Sequence, residues 1–169
     1  MQKSHVCRQL GFTLIELLVV ISIMTLLIGS GIASYLKFNE RQILLRDVET
    51  VQYLLEAARV GVQTGDLSHE DCASLEGYQL EANAGASTIT LSVLCKDELG
   101  VSQKFPLNNE ILDSDTSFTS AVNMIFRPLS KGVEGAGKIE LLSRDVYQYT
   151  IEVSSGGAIN TGELQAADI

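Results

Sequence analysis

The chain has no charged residue between Leu17 and Leu36 and no proline between Phe12 and Val62. The first absence excludes a solvated surface segment; the second removes the commonest cause of a helix break. Basic residues are scarce: 12 Lys and Arg stand against 21 Asp and Glu, a formal net charge of −9. Nucleic-acid binding depends on Lys and Arg neutralising phosphates, so no nucleic-acid partner is expected. The acidic balance is expected to keep the head that follows the apolar run soluble, the alternative being a specific cation-binding role. Two histidines without a His/Cys cluster leave little for a metal, and neither a metal nor another cofactor is expected. A Gly-rich phosphate loop is missing, as are Ser/His/Asp and Cys/His sets, so the chain is not expected to be an enzyme.

Cysteine is sparse as well: Cys7, Cys72 and Cys95. Cys7 lies in a short basic stretch at the start, and removal of that stretch leaves an even pair. A pair in a domain outside the cytoplasm is a candidate disulfide, Cys72–Cys95, the alternative being two buried free thiols. Closing a loop of about two dozen residues adds about 3 kcal/mol on the chain-entropy account.

What is present is concentrated at one end. The 169 residues fit one domain plus one extra element. Leu17 to Ile28 is almost unbroken Leu, Val, Ile and Met, and Leu17 to Leu36 supplies the ~20 residues that a membrane-spanning helix needs. Ser22, Thr25, Ser30 and Ser34 soften the run, with hydroxyls able to bond back to helix carbonyls. Gly29 and Gly31 weaken a helix by ~1 kcal/mol each relative to Ala, so a flexible or partly unwound stretch is expected there. Lys3 and Arg8 favour a cytoplasmic N-terminus, although Lys37, Arg41 and Arg46 follow the run closely.

Glu16 does not suit a plain anchor. It sits at the head of the apolar run with no basic residue near it in sequence. A carboxylate at membrane depth costs several kcal/mol unless paired. A cut between Gly11 and Phe12 creates a mate, because the new α-amino group of Phe12 is a cation four residues away. Pairing with Glu16 of a neighbouring subunit neutralises both charges and sets the axial register. The alternative places Glu16 in the lipid headgroup region. Without its first eleven residues the chain has 10 bases against 21 acids, or −11.

The string Gly11-Phe12-Thr13-Leu14-Ile15-Glu16, followed by Leu17-Leu18-Val19-Val20-Ile21, closely resembles the class III signal segment of type IV pilins and type II secretion pseudopilins. The resemblance covers the first 25–30 residues and implies cleavage by a prepilin peptidase after Gly11, N-methylation of Phe12 and an assembly role for Glu16. Many members carry a proline at the position of Ala33, which this chain lacks. A conventional secretory signal is the rival, with Gly31-Ile32-Ala33 as a small-x-small cleavage site. Glu16, and a helical pattern continuing past that site, count against it.

Beyond Leu36 the pattern turns amphipathic. Leu44, Val48, Val51, Leu55, Ala58 and Val62 form one stripe, while Arg41, Arg46, Asp47, Glu49, Gln52, Glu56 and Arg59 occupy other positions. Gly61 and Gly65 offer stops. The stripe spans under three heptads, which is short for a coiled coil.

From residue 66 the texture becomes strand-like. Ser87 to Lys96 alternates Ile89, Leu91, Val93 and Cys95 with Thr88, Thr90 and Ser92. Further strands are expected over Val122–Phe126, Lys138–Leu142 and Val146–Val153, with weaker signals at Tyr78–Ala82 and Gln103–Phe105. Ser154-Ser155-Gly156-Gly157 reads as a hairpin turn before a short strand around Ala158 to Asn160. Pro106 and Pro128 are expected at strand ends. His69-Glu70-Asp71-Cys72 reads as a solvated loop, and Asp113-Ser114-Asp115 as a turn rather than a calcium loop.

The expected fold is α+β: a leader over 1–11, a transmembrane or filament-core helix over 12–36, an amphipathic extension over 37–65 and a β-rich soluble head over 66–169. The resemblance implies that the outer half of the helix packs on the sheet. The final strand and glycine turn resemble those of GspH/FimT-type minor subunits. On that resemblance the chain is a filament subunit, either a minor pseudopilin of a type II secretion system or a minor type IV pilin. Its partners are other pilin or pseudopilin subunits, prepilin peptidase, the inner membrane and, indirectly, the assembly platform and ATPase. The location implied is the bacterial inner membrane, single-pass, with the head periplasmic or extracellular. The alternative is a filament-tip binding module.

Overall fold

The computed structural model describes residues 13–65, 72–129, 131–144 and 146–167, with the side chains of residues 30, 31, 33 and 34 also outside the description. The expected leader, the Gly11–Phe12 junction and His69 to Asp71 therefore lie outside the described residues. The chain divides into two compact units, 1–39 and 40–169.

Helix α1 covers Leu14–Thr64. It is unbroken through Gly29 and Gly31, so the unwound stretch expected there is not formed. Isolated glycines lower propensity by ~1 kcal/mol each, which does not outweigh an intact ladder of backbone bonds. Ser22 donates to the Leu18 carbonyl at 2.8 Å, and Thr25 to those of Ile21 and Ser22 at 3.1 and 2.9 Å. These hydroxyls are thus satisfied within the helix. The end comes at Gly65, whose φ of +65° suits a helix-stopping left-handed residue. Gly61, the other expected stop, lies inside the helix.

Among the described residues, ten strands make two antiparallel sheets in the unit beginning at Glu40. Their ranges are β1 Ser74–Ala82, β2 Thr88–Lys96, β3 Ser102–Ile111, β4 Thr116–Phe118, β5 Val122–Phe126, β6 Val133–Glu134, β7 Gly137–Ser143, β8 Tyr147–Val153, β9 Ile159–Thr161 and β10 Gln165–Ala166. One sheet runs β3-β2-β1-β5-β6; the other runs β10-β8-β7-β4, with β9 also on β8. β9 and β10 border β8 at successive places, Ile151–Val153 and Tyr147–Gln148.

The apolar stripe of the helix and the inner faces of both sheets form a single core. Leu44, Val48, Val51, Leu54, Leu55 and Ala58 are buried in one cluster with Leu80, Ile89, Leu91, Val93, Met124 and Phe126 of the first sheet and Ile139, Leu141 and Ile151 of the second. Burying each large apolar side chain contributes about 1.5–3 kcal/mol. Leu54 joins the stripe, and Val62 is half-buried.

Two expectations need correction. Asp47, assigned to the polar face of the helix, is buried at 2 % exposure. Pro106, expected at a strand end, falls inside β3 opposite Ser92, where the β2–β3 register slips. β3 tolerates it because it is an edge strand whose outer side makes no ladder, and the bulge absorbs the mismatch. Pro128 does follow a strand, β5.

Candidate functional site

Thr13 opens the helix. Its hydroxyl oxygen accepts from the backbone N–H of Glu16 at 3.3 Å, and its carbonyl accepts from the N–H of Leu17 at 3.2 Å. This is N-capping: a side-chain oxygen satisfies a donor that the first turn leaves without a partner. Thr-x-x-Glu ahead of an apolar run is the capping-box signature, so the sequence itself carries the signal for Thr13. Glu16 stands in the first turn, where the positive end of the helix dipole favours a carboxylate.

Around it the surface is apolar. Leu14 is 80 % exposed and Ile15 70 %. Leu17 to Ile21, Ile23, Met24, Leu26 to Ile28, Ile32, Leu36 and Phe38 are exposed as well. With the hydroxyls of Ser22 and Thr25 bonded to the helix's own carbonyls, the Glu16 carboxylate is the one charged group from Thr13 to Leu36. It makes no ion pair among the described residues. A contiguous apolar surface of this extent on one chain calls for cover by lipid or other helices. Among the described residues no helix is long and apolar enough to cross a membrane. The expected span over 12–36 takes in residues 12, 30, 31, 33 and 34, which fall outside that description.

The head is closed by a covalent bond. Cys72 and Cys95 form a disulfide with Cα atoms 5.4 Å apart. It ties Cys72, two residues before β1, to Cys95 near the end of β2, both buried. Asp113 and Asp115 form a turn in which the Asp113 carboxylate accepts from the Asp115 N–H at 3.0 Å. Arg144 pairs with Asp115 and lies 3.6 Å from Glu40. Asp115 beside it, and Glu40, hold the Arg144 guanidinium above its ordinary value. On the outer face of the first sheet, Gln79 donates to Glu81 and Asn123 at 2.7 and 2.9 Å, and Lys104 pairs with Glu81.

The described N-terminal segment is thus a capped apolar helix with one carboxylate in its first turn. Residues 7–32 match the prokaryotic N-terminal methylation motif, a match consistent with the type IV pilin and pseudopilin family. No curated protein and no solved structure matches the chain.

Proposed function

We propose that the chain is a structural subunit of a type IV pilus-like filament, as a minor pseudopilin of a type II secretion system or a minor type IV pilin. The observation that carries this is the run of exposed apolar side chains among the described residues from Leu14 to Phe38, in a chain whose head builds its core from other residues. The helix holds the precursor in the inner membrane with the head on the far side. Prepilin peptidase cuts between Gly11 and Phe12, and the freed amine is methylated. The helix then moves from lipid into a bundle of like helices, driven through the assembly platform and its ATPase. There the Phe12 amine of one subunit meets Glu16 of the next. Neither group is then left as an isolated charge in apolar surroundings, where it costs several kcal/mol.

Such a protein works by assembly and not by catalysis. The test is the intact mass of the processed protein from the membrane. A mature N-terminus at Phe12 carrying one added methyl group is expected. A chain beginning elsewhere, or retaining its first eleven residues, ends the proposal.

A further inference from the structure

A cleft of about 970 Å³ opens beside the end of α1, where Arg59, Gly65, Arg127, Leu129, Lys131 and the turn 155–157 line it. No Asp or Glu is among its described lining residues. That is unusual on a chain with 21 acids. Arg127 is committed already: its guanidinium forks onto the Glu134 carboxylate at 3.0 and 2.9 Å. Arg59 has only the exposed carboxylate of Glu56 at 3.5 Å, a pairing that contributes little at a solvated surface. Lys131 makes no ion pair among the described residues. Two cationic side chains, Arg59 and Lys131, therefore line an open cleft that has no acid among its described lining residues.

The rim carries a second feature. Leu129 has φ +61° and is 87 % exposed. A leucine in the left-handed region is strained, and such strain gathers where the chain meets something. Here it holds an apolar side chain out into water at the mouth of a basic cleft.

We propose that this cleft receives an acidic segment of a neighbouring copy of the chain. Arg59 and Lys131 meet its carboxylates, and Leu129 covers its apolar part. Charge complementarity selects the occupant: with these two bases set aside, the processed chain carries −13, from −11 minus 2. The contact joins unlike patches, basic on one copy and acidic on the next. Unlike patches make heterologous contacts, which generate open helical assemblies when the rotation does not close. The proposal rests on the filament reading and adds a head-to-head contact to the helix contact.

Carbodiimide cross-linking of the full processed chain in mild detergent tests it, because the detergent shields the apolar helix. A mixture of isotopically light and heavy protein separates links between copies from links within one. The expected result is a heavy–light link from Lys131 to an Asp or Glu. It should fall several-fold when salt rises from about 0.1 M to 1 M, as the screening length drops from about 10 to 3 Å. R59E should lower it several-fold and K138E should leave it unchanged. L129G, which relieves the backbone strain, should lower the link yield while leaving the melting temperature unchanged or raised. A Lys131 link found only within one chain, to the acids of residues 66–71, overturns the proposal, as does the absence of any link. E16A distinguishes the two readings. If it loses filaments but keeps the Lys131 link, the two contacts are independent; if E16A filaments assemble normally and the link is kept, the pairing at Glu16 is the idea that fails.

Discussion

The carboxylate of Asp47 accepts a hydrogen bond from the backbone N–H of Asp113 at 3.1 Å, across 66 residues of sequence. It joins the buried side of α1 to the segment between β3 and β4. Asp47 is otherwise surrounded by core, and Arg46 lies 3.6 Å from its second oxygen. Asp47→Ala leaves the Asp113 N–H without its partner. Leaving a buried donor unmet costs about 1–3 kcal/mol, and that loss is the expected fall in stability by urea denaturation. Asp47→Asn, whose amide oxygen still accepts, should lose less. Equal losses for both would show that charge rather than hydrogen bonding holds the joint.

Gly61 is a packing residue. A Cβ at this position would sit 2.6 Å from ring atoms of Tyr78, and that ring is itself buried. In an exposed helix, Gly→Ala gains ~1 kcal/mol. Here overpacking against an immobile ring costs about 1–3 kcal/mol and wins. Gly61→Ala should therefore lower the denaturation midpoint. A rise would mean that the helix can shift away from β1.

The disulfide contributes through the unfolded chain. Cys72 and Cys95 are 23 positions apart, and opening that loop should cost about 3 kcal/mol. Denaturation with and without reductant measures it. Cys72→Ala/Cys95→Ala should match the reduced protein, and an unchanged midpoint in either would show that β1–β2 pairing alone suffices.

Acid should weaken the head through two carboxyls. Hydrogen bonding from the Ser102 side chain, then from Lys96 with its charge, holds Glu76 below its ordinary value of 4.5. The Arg127 fork does the same for Glu134. A carboxyl that ionises more readily in the folded state stabilises it fully above the unfolded pKa. That contribution fades as pH falls through the folded value. Stability should thus hold at neutral pH and decline below about pH 4.5. Glu76→Gln should narrow the acid-dependent drop, losing stability at pH 7 and approaching wild type at an acid pH below the folded value. The same loss at both pH values would separate its role from ionisation.

Glu16→Ala should be inserted and processed normally but enter filaments poorly. Immunoblots of membrane and sheared-filament fractions read the two steps separately. Wild-type incorporation of the variant would remove the charge-pairing account.

The extent of each element shows what local pattern reveals. β2 was legible as Ser87 to Lys96 because each inward residue from Ile89 to Cys95 alternates with an outward one. β1 was seen only from Tyr78, since the register slip between Leu75 and Gly77 breaks the alternation at its start. β3 was read as three residues and has ten, because Pro106 and half-buried polar side chains disguise an edge strand. β4, β6 and β10 carry two or three residues each and have no period to detect; they exist because β7, β5 and β8 offer free edges.

The sequence by itself determined the apolar N-terminal helix, its single acid at Glu16, the amphipathic stripe behind it and the presence of a β-rich head. Those features are written in periodicity and charge over a few neighbouring residues, and no distant contact is needed to read them. Only the tertiary structure decided that Asp47 is a buried joint, that Gly61 makes room for Tyr78, that the strands divide into two sheets and that Arg59, Leu129 and Lys131 share one cleft. Each of those depends on residues tens of positions apart meeting in space, and the chain's local preferences do not encode such meetings.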